Sequence, residues 1–250
     1  MHYKLAPIVL LTAIAALIAC TETKINMPPP ITSHQQPTPE FKIGSPVFMR
    51  IFKEENALEV WMKTGPRYEL YKTFRICKYS GGLGPKLRQG DRQSPEGFYR
   101  VSASALNPNS NYHLSFNLGF PNQYDRAHGR TGSYLMVHGS CVSAGCFAMT
   151  DERIEEIYGL AEAALNNGQD YFQVHSFPFR MTDENMRKYK FSEWYGFWEN
   201  LKLGYDKFER ERIPPKVLVS NKRYVFLRPI EASLPRISAE ETPTDNGESG

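Results

Sequence analysis

From residue 41 onward, apolar and polar residues alternate in short runs with the two-residue period of half-buried strands. Runs at 47–52, 58–62, 68–77, 98–102, 112–118 and 133–138 read as strands. Gly65-Pro66, the glycines and proline of 80–85, and Asn107-Pro108 divide them. A helical period then takes over. Ile154, Ile157, Tyr158, Ala161 and Leu165 share one face, with Thr150 or Asp151 as the cap and Asn167-Gly168 as the stop. Residues 172–176 return to strand. From Thr182 a charged helical stretch carries Phe191, Trp194, Tyr195, Phe197, Trp198, Leu201 and Tyr205. It predicts a C-terminal helical subdomain over 181–232, packing on the core or roofing a cleft, with short strands at 217–219 and 224–227. The class expected is mostly β with flanking helices (α+β), with a catalytic-sized domain at 41–180.

The two ends read differently. Lys4 precedes an apolar run from Leu5 to Ala19, too short for a comfortable membrane span, so 1–19 is expected to be an export signal. Leu17-Ile18-Ala19-Cys20 resembles a bacterial lipobox, which would make Cys20 a lipidated residue; an ordinary signal peptide with a chance cysteine is the plainer alternative. Residues 20–40 are polar and Pro-rich, an extended tether reaching roughly 60 Å at polyproline II rise. Thr21 favours outer-membrane sorting, so the expected location is the periplasm, lipid-anchored to the outer membrane. Residues 233–250 are acidic and poor in apolar side chains, as a disordered tail would be.

With 250 residues and 41% hydrophobic content, the chain has material for one sizeable core. A net charge of +3 gives no argument for a nucleic-acid partner. In an oxidising compartment, setting Cys20 aside leaves Cys77, Cys141 and Cys146, an odd number, so one thiol stays free unless chains pair.

The run Tyr134-Leu135-Met136-Val137 leads into His138-Gly139-Ser140-Cys141-Val142-Ser143-Ala144-Gly145-Cys146. Only a thiolate attacks a carbonyl, and a thiol needs a base to become one. Cys146 follows a glycine and precedes the helix, which makes it the candidate nucleophile. Backbone N–H groups of Gly145 and Cys146 are expected to lower its pKa and to form an oxyanion hole. The bland alternative is an inert buried cysteine. His138 is the candidate base, with its tautomer set by the carbonyl of Gly139 or Ser140 because no Asp or Asn lies close in sequence. A satisfied polar residue at a strand end is the alternative. Cys141 is buried, pairs with Cys77, or closes on Cys146. His113 and His128 are weaker candidates, and His175 lines the cleft or sits in the core. A zinc site from His138, Cys141, Cys146 and His175 lacks any Cys-x-x-Cys or His-Glu-x-x-His spacing, so no metal and no cofactor are expected.

Several segments together resemble the YkuD-type L,D-transpeptidase catalytic domain, in its YafK-type branch. They are Ile51-Phe52-Lys53-Glu54-Glu55, Leu58-Glu59-Val60-Trp61, the stretch from Ile76 to Lys86, Gly90-Asp91-Arg92-Gln93-Ser94-Pro95-Glu96-Gly97, and His138-Gly139 with Ser143-x-Gly145-Cys146. The resemblance implies a β-sandwich or barrel opening a cleft over Cys146. It implies attack by Cys146 on an amide carbonyl of a peptidoglycan stem peptide containing meso-diaminopimelate, with His138 as base and the Gly139 carbonyl as its orienter. Water or an amine then resolves the thioester. The branch resembles the amidase that frees covalently attached lipoprotein from peptidoglycan, which favours hydrolysis. A true transpeptidase and an inactive peptidoglycan-binding lipoprotein are the other readings. The family pattern has His before the Gly-Cys pair and Arg two residues after Cys, where this chain has Ala144 and Ala148. Arg130 or Arg180 is therefore expected to take a substrate carboxylate, with Ser143 also among the substrate-binding residues.

Overall fold

The computed structural model describes residues 39–227. The export signal, Cys20, nearly all of the tether and the tail at 233–250 lie outside the described residues. In chain order the elements are β1 (Val47–Phe52), β2 (Ala57–Thr64), β3 (Arg67–Arg75), β4 (Gly97–Ser102), β5 (Leu106–Ser110), β6 (His113–Asn117), α1 (Gln123–Ala127), β7 (Met136–His138) and β8 (Phe147–Ala148). They continue with α2 (Asp151–Asn166), β9 (Tyr171–Phe177), α3 (Asp183–Lys188), α4 (Tyr195–Glu211), β10 (Val217–Ser220) and β11 (Arg223–Phe226). The expected mostly β, α+β class holds.

The strands form a five-stranded sheet in the order β3-β2-β1-β9-β4, a four-stranded sheet β5-β6-β7-β8, and the hairpin β10-β11. β1 is buried along its whole length, as a strand covered on both faces must be. Its alternation divides the core. Val47, Met49 and Ile51 join Val60, Phe116, Val137, Phe147, Ile154 and Ile157 in one cluster, which holds the two sheets and α2 together. On the opposite face, Phe52 joins Phe98, Phe177, Trp198, Leu201 and Tyr205, so α4 and the terminal hairpin back the large sheet.

Two charges are buried on that second side with their partners. Arg50 lies between the rings of Trp61 and Phe208, 4.8 Å from each centroid, and binds Glu59 at 2.8 Å and Glu209 at 2.6 Å. Lys53 and Glu96 pair at 2.9 Å with no exposed side-chain surface. Lys53 also donates to the carbonyls of Gly84 (2.9 Å) and Ser94 (3.1 Å). Glu96 accepts from Gly84 N at 2.7 Å and from Trp198 Nε1 at 2.8 Å. The Ser94-Pro95-Glu96-Gly97 motif is thus a junction between a loop and α4.

Some boundaries move for identifiable reasons. The expected strand at 133–138 shrinks to β7 because Tyr134 adopts φ 54° and leaves the pleat. The expected strand at 112–118 becomes the second arm of a hairpin, with β5 as the first. The aromatic stretch after Thr182 breaks into α3, where Thr182 Oγ1 caps Asn185 N at 3.2 Å, and α4. It lies against the large sheet. Among the described residues no helix is long and apolar enough to cross a membrane.

Candidate active site

β7 and β8 pair in parallel with Val137 opposite Phe147 and His138 opposite Ala148. Val137 and Phe147 are fully buried in the first core cluster. Strand alternation therefore turns His138 and, one residue before β8, Cys146 to the other face of the small sheet. Register extended by one places Cys146 beside Met136, and the Met136 N–H donates to Cys146 Sγ at 3.4 Å. The structure thus brings the predicted nucleophile and base onto one face of neighbouring strands. The thiol proton is directed to the Tyr134 carbonyl at 3.6 Å, and no hydrogen bond links Cys146 to His138.

His138 is nearly buried, and its Nδ1 lies 2.6 Å from the Gly139 carbonyl. A carbonyl only accepts, so Nδ1 carries the proton and Nε2 is the basic nitrogen. Of the two carbonyls expected for this task, the structure selects Gly139. Burial lowers the imidazole pKa, with the Gly139 bond opposing it. Tyr112 lays its ring over the imidazole, centroids 4.7 Å apart. Gly139 itself is enclosed: a Cβ there would stand 2.5 Å from Asp151 Oδ1 and 2.9 Å from the Tyr112 carbonyl. The same Asp151 oxygen accepts from Ser140 N at 2.7 Å, holding a turn in which Ser140 (φ 62°) and Cys141 (φ 45°) are left-handed.

The Cys146 backbone is fixed by two serines. Ser143 Oγ donates to its carbonyl at 2.8 Å, and Ser94 Oγ does so at 3.1 Å. Gly145 N points to Ser143 Oγ at 3.3 Å. Ser143 thus braces the turn, and the Gly145 N–H expected in an oxyanion hole is turned to it.

The expected lowering of the thiol pKa is reversed: desolvation pushes Cys146 up, with the Met136 N–H and the Lys86 charge pulling the other way. Both shifts favour the neutral forms, thiol and imidazole.

Cys141 is bonded to Cys77, Cα atoms 5.4 Å apart, across 64 residues. Of the three readings for Cys141 this is the pairing with Cys77, and Cys141 is exposed. Cys146 is the free cysteine among the described residues.

Neither candidate arginine is free as a carboxylate clamp. Arg130 is buried, bonded to Asp125 at 2.8 Å and held against Tyr124 and Phe197. Arg180 binds Glu59 at 2.7 Å over the ring of Phe52. His175 is fully buried between Phe48 and Phe98, centroids 4.6 Å from each, so of its two readings the core is the correct one. Among the described residues no group of three His, Cys, Asp or Glu is arranged to hold a metal ion.

Sequence reasoning missed Ser94, Lys86, Tyr112, Tyr134 and Asp151. Ser94 and Lys86 lay inside segments already singled out, Tyr134 opened the run before His138, Asp151 was read only as a helix cap, and Tyr112 only as the start of a strand.

The YkuD family, L,D-transpeptidase catalytic domain, matches residues 50–174. YafK of Escherichia coli, which bears the L,D-transpeptidase name, is 53% identical over 202 residues in strain K12 and equally in O157:H7, covering 80% of this chain and 82% of YafK. The chain belongs to the YkuD L,D-transpeptidase family. The YkuD match contains all the segments that carry the resemblance and both candidate catalytic residues. Among solved structures, the helical cell shape determining protein Pgp2 of Campylobacter jejuni overlaps at TM-score 0.43 and 18% identity, covering 72% of this chain and 77% of that chain. Its K307A mutant overlaps at TM-score 0.44, and this chain spans 55% of that one's length. Bd1075 of Bdellovibrio bacteriovorus overlaps at TM-score 0.37 and 20% identity, covering 66% of this chain and 62% of that chain.

Proposed function

We propose that this YkuD-family enzyme uses Cys146 to form a thioester with a stem-peptide carbonyl at meso-diaminopimelate, and that water resolves it, releasing covalently attached lipoprotein from peptidoglycan. The reading is supported above all by one observation: the free thiol shares a sheet face with an imidazole whose tautomer Gly139 fixes. His138 Nε2 takes the thiol proton as sulfur attacks the carbonyl carbon. The imidazolium returns that proton to the departing lysine or arginine amine. Water then attacks the thioester, His138 takes its proton, and the Cys146 sulfur leaves and is reprotonated. The resemblance of the motifs to the YafK-type branch is what favours hydrolysis; the relative itself bears the L,D-transpeptidase name. A lipid on Cys20 and the tether behind it would hold the enzyme on the outer membrane, facing the wall.

The test uses muropeptides carrying Lys or Arg linked to meso-diaminopimelate, incubated with and without amine acceptors. Release of free amino acid that disappears in Cys146→Ala is the expected result. Accumulation of new amide products with an amine acceptor would make the enzyme a transpeptidase. Binding with no turnover and no thiol alkylation would make it the inactive binding lipoprotein.

A further inference from the structure

The loop between β3 and β4 carries a buried cation and packs on the segments that flank the thiol. Lys86 is almost wholly buried, and its ammonium binds the Asp91 carboxylate and donates to the Arg88 carbonyl at 2.9 Å. Partial burial raises Asp91, but the N–H groups of Arg88, Gln93 and Leu87 and the Lys86 ammonium outweigh it and hold the carboxyl at about 2. A buried lysine needs such a partner, but nothing in the core requires a lysine at this place.

The loop touches both arms of the turn around Cys146. On one arm, Thr131 N donates to Leu87 O at 3.0 Å and Gln89 N donates to Thr131 Oγ1 at 3.2 Å. Gly132 follows with φ 141°, and a Cβ there would stand 2.8 Å from Lys86 Cε, so the glycine leaves room for the lysine stem. Two residues on, Tyr134 O accepts from the Cys146 thiol. On the other arm, a Cβ on Gly145 would lie 3.7 Å from Gln93 O.

We propose that Lys86, held by Asp91, is a positioning residue for the nucleophile: it stabilises the Cys146 sulfur anion that forms when His138 takes the proton. The inference rests on Cys146 being that nucleophile. Among the described residues the positive charge of Lys86 favours the thiolate, against the desolvation that raises the thiol pKa. The other groups near the sulfur are the Met136 N–H and Tyr134 carbonyl, the imidazole of His138 across the strand pair, and Asp91 behind Lys86. An ammonium has three donors, of which Asp91 and Arg88 take two. The cation supplies charge near the thiol in a chain that has Ala148 where the family has arginine.

The test is the pH dependence of Cys146 alkylation by iodoacetamide, located by peptide mapping, in the full chain and in Lys86→Met, Lys86→Arg and Asp91→Asn. Removing the cation in Lys86→Met is expected to slow alkylation about three- to tenfold at neutral pH and to move its midpoint upward. Lys86→Arg restores most of the rate. Asp91→Asn, which releases the ammonium from its holder, moves the midpoint up toward that of Lys86→Met. A folded Lys86→Met with the parent profile overturns the proposal. If Lys86→Met does not fold, an Asp91→Asn midpoint that is unmoved or lowered overturns it instead. Alkylation reads the sulfur whether or not muropeptide is turned over. An unshifted profile therefore sinks this inference alone, and absent turnover with a shifted profile sinks the catalytic reading alone.

Discussion

Ser94 Oγ donates to the Cys146 carbonyl at 3.1 Å, joining two motifs that lie 52 residues apart. Ser94 is fully buried and also accepts from Ser80 N at 3.2 Å. Ser94→Ala therefore leaves the half-buried Ser80 N–H without this acceptor and the Cys146 carbonyl with Ser143 alone. The expected cost is about 1–3 kcal/mol in denaturant unfolding. Turnover should fall through kcat more than KM, because the residue positions the nucleophile and does not touch substrate. A variant with parent kcat would show that Ser143 suffices.

Gly139→Ala places a methyl where Asp151 Oδ1 and the Tyr112 carbonyl already stand. Tyr112 O is backbone and cannot turn away, so the 138–141 turn must shift and the Gly139 carbonyl with it. We expect about 1–3 kcal/mol of destabilisation and a drop in kcat/KM greater than that of Asp151→Ala. Equal activity in Gly139→Ala and the parent would refute the assigned role of this carbonyl.

Burial acts on both members of the pair, lowering His138 and raising Cys146. As pH falls through the His138 pKa the imidazole binds a proton and ceases to be a base. The acid limb of kcat/KM is therefore expected below the ordinary 6.5 of histidine. In His138→Ala, alkylation of the unassisted thiol should have its midpoint above the ordinary 9.0. Rate profiles in pH steps decide both; an acid limb above 6.5 contradicts the assignment.

His175 Nε2 is 3.0 Å from Gln173 Oε1, and its Nδ1 is buried with no partner. Desolvation first, and then the Arg50 charge, depress its pKa well below 6.5. Below about pH 6.5 the unfolded chain binds a proton here that the folded chain does not, so stability is lost as pH falls. His175→Leu removes the orphaned nitrogen. Its urea midpoint should change less than the parent's between pH 7.5 and 5, a range chosen about the free histidine pKa. Parallel declines would place the acid sensitivity elsewhere.

Much of this architecture was legible in the chain because period-two and helical patterns report local burial. β1, β4, β9 and the stripe of α2 fall where the alternation put them. The candidate nucleophile and base stood out because they share one short segment of a recognisable family. What the sequence hid is tertiary. Arg50 and Lys53 look like solvated charges until Glu59, Glu209 and Glu96 arrive from distant strands and helices. Arg130 and Arg180 look available until Asp125 and Glu59 are seen to hold them. The thiol shift was misread because a turn's N–H groups are visible in sequence and the depth of a sulfur is not.

The bond between Cys77 and Cys141 also constrains how the active enzyme is made. Were the chain to oxidise while unfolded, Cys77, Cys141 and Cys146 would compete for partners, and the two in the 138–146 segment are near neighbours in sequence. A chain that oxidises before β3 packs locks its own nucleophile into a small ring. Early docking of the segment after β3, which carries Cys77, would keep the Cys146 thiol free.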